Sequence, residues 1–140
     1  MVQEKLTEPF FITNGDVLTK VNFKEMLENH KASNADISVG IRDYQIEIPY
    51  GIIETQGNRV VSMVEKPTLD YLINAGVYVA SPNVIDLIPQ NKFFHMTDLI
   101  KECLNRNMLV VHYYISDYWL DIGKINDYYK ANFENSNYFL

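Results

Sequence analysis

The hydrophobic period of this chain switches repeatedly between that of a strand and that of a helix, and this limits the folds open to it. "FFIT" at Phe10–Thr13 is a short, continuously apolar run with aromatic and β-branched residues, the mark of a buried strand. "NFKEMLENHKAS" then spaces Phe23, Met26 and Leu27 three and four apart behind a capping Asn22, which predicts an amphipathic helix. "ADISVGIRD" returns to a period of two through Ile37, Val39 and Ile41. "IPYGIIETQGNRVVSMVEKP" predicts two strands joined at Gln56-Gly57-Asn58. "YLINAGVYVAS" predicts another strand, and "PNVIDLI" a short helix with Pro82 in its first turn. "HMTDLIKECLNRN" predicts a longer helix whose apolar stripe is Met96, Leu99, Ile100, Cys103 and Leu104. "MLVVHYYISD" predicts a strand, "YWLDIG" a strand end and "INDYYKANF" a final helix. Strands mixed with crossover helices predict an α/β layered domain. The hairpin and the last strand predict an antiparallel part in a mixed sheet.

Length and charge narrow the function. The chain has 140 residues, which suits one domain over 1–140 with a real core. No run of roughly 18 apolar residues predicts a membrane span. The start, "MVQEKLTEP", lacks the apolar centre of a signal peptide. The single Cys103 excludes an internal disulfide and an all-cysteine zinc site, and fits a reducing, cytoplasmic compartment. Net charge is −6 and basic residues do not cluster, so nucleic-acid binding through phosphates is not expected. An anionic small molecule remains compatible, because a local lysine and a metal ion override the global charge.

Several residues carry chemistry. Asp16 ends "FFITNGD", at the carboxyl end of a strand, where ligands bind in open α/β sheets. Its simpler role is a turn aspartate beside Gly15. Asp121 in "YWLDIG" has a matching context, or caps a following helix. Two converging carboxylates are a magnesium site when substrate phosphates and water complete the octahedron. In "VEKP", adjacent strand residues point to opposite faces, so one of Glu65 and Lys66 faces a site, where Lys66 suits a phosphate, or both form an exposed pair of about 0–1 kcal/mol. Asn74 and Gly76 in "NAGVY" suit a close-lying sugar, as does Gly51 in "PYGII"; tight packing is the alternative. His30, His95 and His112 share no metal-ligand spacing and are expected at the surface or partly buried. Cys103 is expected in the core.

In order, "FFITNGD", "YGII", "VEKP", "NAGVYV", "MTDLI" and "YWLDIG…DYYKAN" resemble the second half of sugar-1-phosphate nucleotidyltransferases, in the mannose-1-phosphate guanylyltransferase-like branch. The resemblance runs from about Glu8 to Phe133. It implies a Rossmann-like, mostly parallel sheet flanked by helices and lacking its N-terminal strands. It also implies a Mg2+ site at Asp16 and Asp121, with Lys66 on the sugar phosphate. Glu65, Asn74, Gly76 and the Gly51 backbone are implied on the sugar. The implied activity joins a nucleoside triphosphate to a sugar 1-phosphate and releases pyrophosphate. The alternative is a catalytically silent sugar-phosphate-binding or regulatory module.

One departure is large. The family opens with a strand and a loop of the form Gly-Gly-X-Gly-Thr-Arg-Leu that cradles the triphosphate. The six glycines here include no pair closer than six positions, so these residues contain no such loop. A nucleoside triphosphate is therefore expected as partner only when an N-terminal segment supplies the loop. The strand "FFIT" is expected to have an uncovered edge, open to a homodimer through Phe10 to Thr13 or its apolar flank.

Overall fold

The computed structural model describes residues 6–123. The expected final helix "INDYYKANF" lies outside them. The described chain runs β1 (Phe10–Thr13), β2 (Val17–Thr19), α1 (Phe23–Ser33), β3 (Ile37–Glu47), β4 (Ile52–Gln56), β5 (Arg59–Val64) and β6 (Thr68–Ala80). A 3₁₀ turn (Pro82–Leu87), α2 (Met96–Asn105), β7 (Val110–Tyr114) and β8 (Trp119–Asp121) follow. It divides into two compact units, one holding residues up to Ile41 and from Asn74 onward, the other Arg42–Ile73.

The main sheet is four-stranded in the order β1-β6-β3-β7. β1 is antiparallel to β6 and β3 is parallel to β7, so the sheet is mixed, with helices packed against it. Residues 75–80 of β6 are all buried, as a central strand covered on both faces must be. Ala75, Val77 and Val79 pack with Val21, Ile115 and Met26 of α1. Ala80 packs with Ile37, Val84 and the α2 residues Leu99 and Cys103. Cys103 is thus a core residue, as its helical spacing predicts. Leu104, assigned to the same stripe, is instead 56% exposed.

Helix α1 starts where the sequence says it should. The Asn22 side chain accepts from the Glu25 backbone N–H at 3.1 Å, which satisfies one orphan donor of the first turn. Asn34 closes it in the left-handed region at φ 50°. Strands β3 and β6 run longer than the alternation predicts, and the short β2 is not visible in the sequence pattern.

His30 corrects the expectation of a surface or partly buried histidine: it is 1% exposed. Its Nδ1 lies 2.8 Å from Ser38 Oγ and its Nε2 3.0 Å from Ser81 Oγ. The Ser81 hydroxyl gives its hydrogen to Ala35 O at 2.8 Å. Ser81 Oγ must therefore accept from Nε2–H, which leaves Nδ1 to accept from the Ser38 hydroxyl. This chain of hydrogen bonds ties α1 to β3 and to the end of β6, and it satisfies both nitrogens of the neutral imidazole.

Burial pushes the His30 pKa below 6.5, with Asp36 opposing and Lys31 adding a smaller depression. Below pH 6.5 the unfolded chain then binds a proton that the folded chain resists. His30 therefore contributes stability in full above that pH and progressively less as the pH falls below it. Urea unfolding of wild type and His30→Gln between pH 5 and 8 checks this. The stability difference between them should shrink as the pH drops below 6.5 and stay level above it.

Candidate functional site

The turn after β1 brings several polar groups to one corner of the first unit. The Asn14 N–H donates to Gly76 O at 2.8 Å, which fastens the end of β1 to the start of the buried part of β6. Gly15 and Asp16 form the turn that leads into β2. β2 pairs antiparallel with β8, and Val17 faces Asp121. The Ile122 N–H donates to Asp16 O at 2.7 Å. Asp16 and Asp121, near the two ends of the sequence, are thus neighbours across one short ribbon, and both are exposed. Trp119 of the same ribbon donates from Nε1 to Ala75 O at 2.7 Å, which anchors the ribbon beside Asn74 and Gly76.

The close approach expected at Gly76 is real, but its neighbour is protein. Gly76 sits at φ 71°, and a Cβ there would lie 2.7 Å from Asn14 Nδ2. Asn74 uses its side chain inside the fold: Oδ1 accepts from Gly76 N–H at 2.9 Å and Nδ2 donates to Tyr78 Oη at 2.8 Å. The fixed polarity of Gly76 N–H decides which way this amide points. Tyr78 is 2% exposed, and burial raises its pKa while the Asn74 hydrogen bond lowers it less, so the phenol keeps its proton. Asn14, Asn74, Gly76 and Tyr78 line a cleft of about 260 Å³ with His95, Met96 and Thr97 of the α2 entry.

The sequence reading missed Asn14, Tyr78, Trp119, His95 and Thr97 as members of this corner. "NGD" and "HMTD" were legible as turn and helix start, and a second use for their side chains carries no sequence signal of its own.

The second unit holds Gly51, Glu65 and Lys66. A Cβ on Gly51 would lie 3.0 Å from Glu65 Oε2, so the carboxylate rests over bare backbone. Glu65 and Lys66 stand just beyond β5, which ends at Val64, and both are exposed. Lys66 adopts φ 43°, directly before Pro67. A left-handed lysine costs about 1–3 kcal/mol, and such strain clusters at ligand sites.

The donor set can be tested for the metal it suits. Among the described residues no three His, Cys, Asp or Glu side chains gather as a metal cage. Asp16, in the turn before β2, and Asp121, on β8, are exposed carboxylates, and magnesium takes one or two such protein ligands and fills its octahedron with water and phosphate. They do not fit zinc, which wants three or four protein ligands including nitrogen or sulfur.

A mixed sheet flanked by helices matches what comparison with known proteins returns. A family model described as nucleotidyl transferase matches residues 1–137, and the chain belongs to that family. Within it, the chain is similar to sugar-1-phosphate nucleotidyltransferases of the mannose-1-phosphate guanylyltransferase-like branch. Mannose-1-phosphate guanylyltransferase 1 of Arabidopsis thaliana is 35% identical over 129 residues, covering 86% of this chain and 34% of the relative. Glucose-1-phosphate adenylyltransferase of Lachnospira eligens is 31% identical over 137 residues, covering 91% and 32%. The crystal structure of HddC from Yersinia pseudotuberculosis aligns with a TM-score of 0.61 at 26% identity, over 89% of this chain and 54% of that one. The chain thus spans about a third of the length of these curated relatives.

Proposed function

We propose that this chain is the metal-binding and sugar-phosphate-binding part of a sugar-1-phosphate nucleotidyltransferase. The observation that carries the reading is the β2–β8 ribbon, which makes neighbours of Asp16 and Asp121. In this reading the two carboxylates hold Mg2+, which when bound supplies charge neutralisation to the reacting phosphates. Lys66 takes the phosphate of a sugar 1-phosphate, and Glu65 accepts a sugar hydroxyl over Gly51. Asn74 and Gly76 shape the sugar's other contact, with the Asn74 amide holding Tyr78 in place. The reaction joins a sugar-phosphate oxygen to the α-phosphorus of a nucleoside triphosphate and breaks its bond to pyrophosphate. The attacking oxygen is already ionised, so no general base is required, and positioning does most of the work.

A second reading is favoured by one specific observation. These 140 residues contain no glycine-rich triphosphate loop, so a module that binds sugar phosphate without turnover is consistent with them. A nucleoside triphosphate joins as partner only where that loop is supplied. The outer edge of β1, which pairs only with β6 among the described residues, is open to further strands or to a second copy. Its side chains Phe10, Phe11 and Ile12 are half-buried, so the edge offers backbone groups more than apolar area. A cytoplasmic location belongs to the same proposal.

Calorimetric titration with α-D-mannose 1-phosphate and α-D-glucose 1-phosphate, with and without magnesium, tests the reading. Wild type should bind at least one of them more tightly with the metal present. Lys66→Ala should weaken that binding about 10–150-fold, the worth of a charge-assisted hydrogen bond of about 1.5–3 kcal/mol. No binding by wild type, or unchanged binding by the variant, sinks it.

A further inference from the structure

The turn that leads to Asp16 carries a bond prone to rearrange. Asn14 is followed by Gly15, and no other asparagine of the chain precedes a glycine. In such a pair the backbone nitrogen of the second residue can attack the side-chain amide carbon of the first. A Cβ on the second residue hinders that approach, and glycine has none.

The structure leaves this pair open to the reaction. Asn14 and Gly15 are both exposed, and a Cβ on Gly15 would meet nothing within 4 Å. The β1–β6 ladder ends at Thr13, so the bond between Asn14 and Gly15 lies outside it. The Asn14 backbone N–H is engaged by Gly76 O. Neither the Asn14 side-chain amide nor the Gly15 N–H has a hydrogen-bond partner among the described residues. Other asparagine side chains are held: Asn22 by Glu25, Asn74 by Gly76 and Tyr78, Asn83 by Asp36. The Asn14 amide only rests over bare Gly76 backbone, where a Cβ would lie 2.7 Å from Nδ2 and 2.9 Å from Cγ.

We propose that Asn14 is a modification site, which closes on Gly15 N to a succinimide and reopens as isoaspartate or aspartate. The Gly15 nitrogen loses its proton and bonds to Asn14 Cγ. The Cγ–Nδ2 bond breaks, and ammonia leaves with that proton. Water then adds to one of the two ring carbonyls and cleaves its bond to nitrogen, so no oxidant or reductant enters. Attack at the side-chain carbonyl gives aspartate. Attack at the backbone carbonyl gives isoaspartate, in which the main chain runs through the side chain and is longer by one methylene.

The position gives the change its consequence. Residue 14 fastens β1 to β6, and two residues later Asp16 O accepts from Ile122 N–H at 2.7 Å. A turn lengthened by one carbon between these two bonds cannot hold both in register. Either product also adds a carboxylate two residues from Asp16, and like charges repel where no cation lies between them. The reaction thus ages the corner to which the proposed function assigns magnesium and sugar phosphate, and this consequence rests on that reading.

Incubation of the full chain in warm, mildly alkaline buffer for several days, beside a urea-unfolded sample, tests this. Peptide mapping by mass reads the exchange of amide for acid, and protein isoaspartyl methyltransferase labels the isoaspartate. In the folded protein Asn14 should convert at least tenfold faster than any other asparagine of residues 6–123. Gly15→Ala should slow the conversion at least tenfold. Its Cβ has open space, so this variant should keep its circular dichroism. Aged wild type should lose magnesium-dependent binding of sugar 1-phosphate in proportion to its isoaspartate. Conversion in the unfolded sample alone overturns the proposal, since it shows that packing on Gly76 protects the amide. Equal conversion of another described asparagine, or an unslowed Gly15→Ala, overturns it as well. Undiminished binding by converted protein overturns the consequence assigned to it. Mass and methylation need no ligand, so absent binding by fresh protein counts against the proposed function alone.

Discussion

Given magnesium, a hexose 1-phosphate and a nucleoside triphosphate, the 140-residue chain should form nucleotide-sugar about 10⁴–10⁶-fold more slowly than a full-length relative. The triphosphate carries the charge that must be stabilised as pyrophosphate departs. In the family a glycine-rich loop supplies backbone donors for it, and these residues contain none. Removing one preorganised donor costs about 2.7–4 kcal/mol, and removing two costs roughly 5–8 kcal/mol if the effects add. On the proposed reading Lys66, Glu65 and the two aspartates serve the sugar phosphate, so binding should survive while turnover does not. Pyrophosphate release followed by a coupled assay separates the two. A peptide or upstream segment carrying the loop should restore rate without tightening sugar-phosphate binding. Turnover by the 140 residues alone at ordinary enzyme rates, about 1–10³ s⁻¹, would refute the argument.

Gly76→Ala should lower stability by about 2–3 kcal/mol and weaken sugar-phosphate binding with it. Two costs combine. A left-handed alanine is strained by about 1–3 kcal/mol, and Gly76 stands at φ 71°. The new methyl would also lie 2.7 Å from Asn14 Nδ2 and 2.9 Å from Asn14 Cγ, so the Asn14 side chain must move. Relaxing φ instead would break the Asn74 Oδ1 hydrogen bond to Gly76 N–H and release the amide that orients Tyr78. Thermal melts and the titration described above read both effects. Gly15→Ala is the control: a Cβ there meets nothing within 4 Å, and its stability should change far less. Equal melting temperatures for Gly76→Ala and wild type would show that the corner is looser than the geometry indicates.

Much of the fold was legible because local chemistry set it. Asn22 announces α1, Gln56-Gly57-Asn58 announces the hairpin, and the spacing of Leu99 and Cys103 announces the buried side of α2. Ordered motifs rather than periodicity pointed to the family. The site was legible only as separate pieces. Nothing in "FFITNGD" says that Asp16 will meet the strand of Asp121, because that pairing depends on a ladder between residues a whole domain apart. His30 misled for the same reason: its helix spacing is unremarkable, and its partners are Ser38 on β3 and Ser81 just beyond β6. Asn74 was readable as a polar group near a glycine, yet its role inside the fold needed Tyr78 and Gly76 placed around it.

The sequence by itself determined most of the segments that are strands and helices, which side chains can carry phosphate and metal chemistry, and that no triphosphate loop is among them. Those properties follow from local periodicity, capping and residue type, which act over a few positions. Only the tertiary structure decided that two distant aspartates lie at one short ribbon and that a histidine is buried between two serines. Those outcomes follow from strand pairing and burial, where the partner of each residue is chosen by the packing of the whole chain.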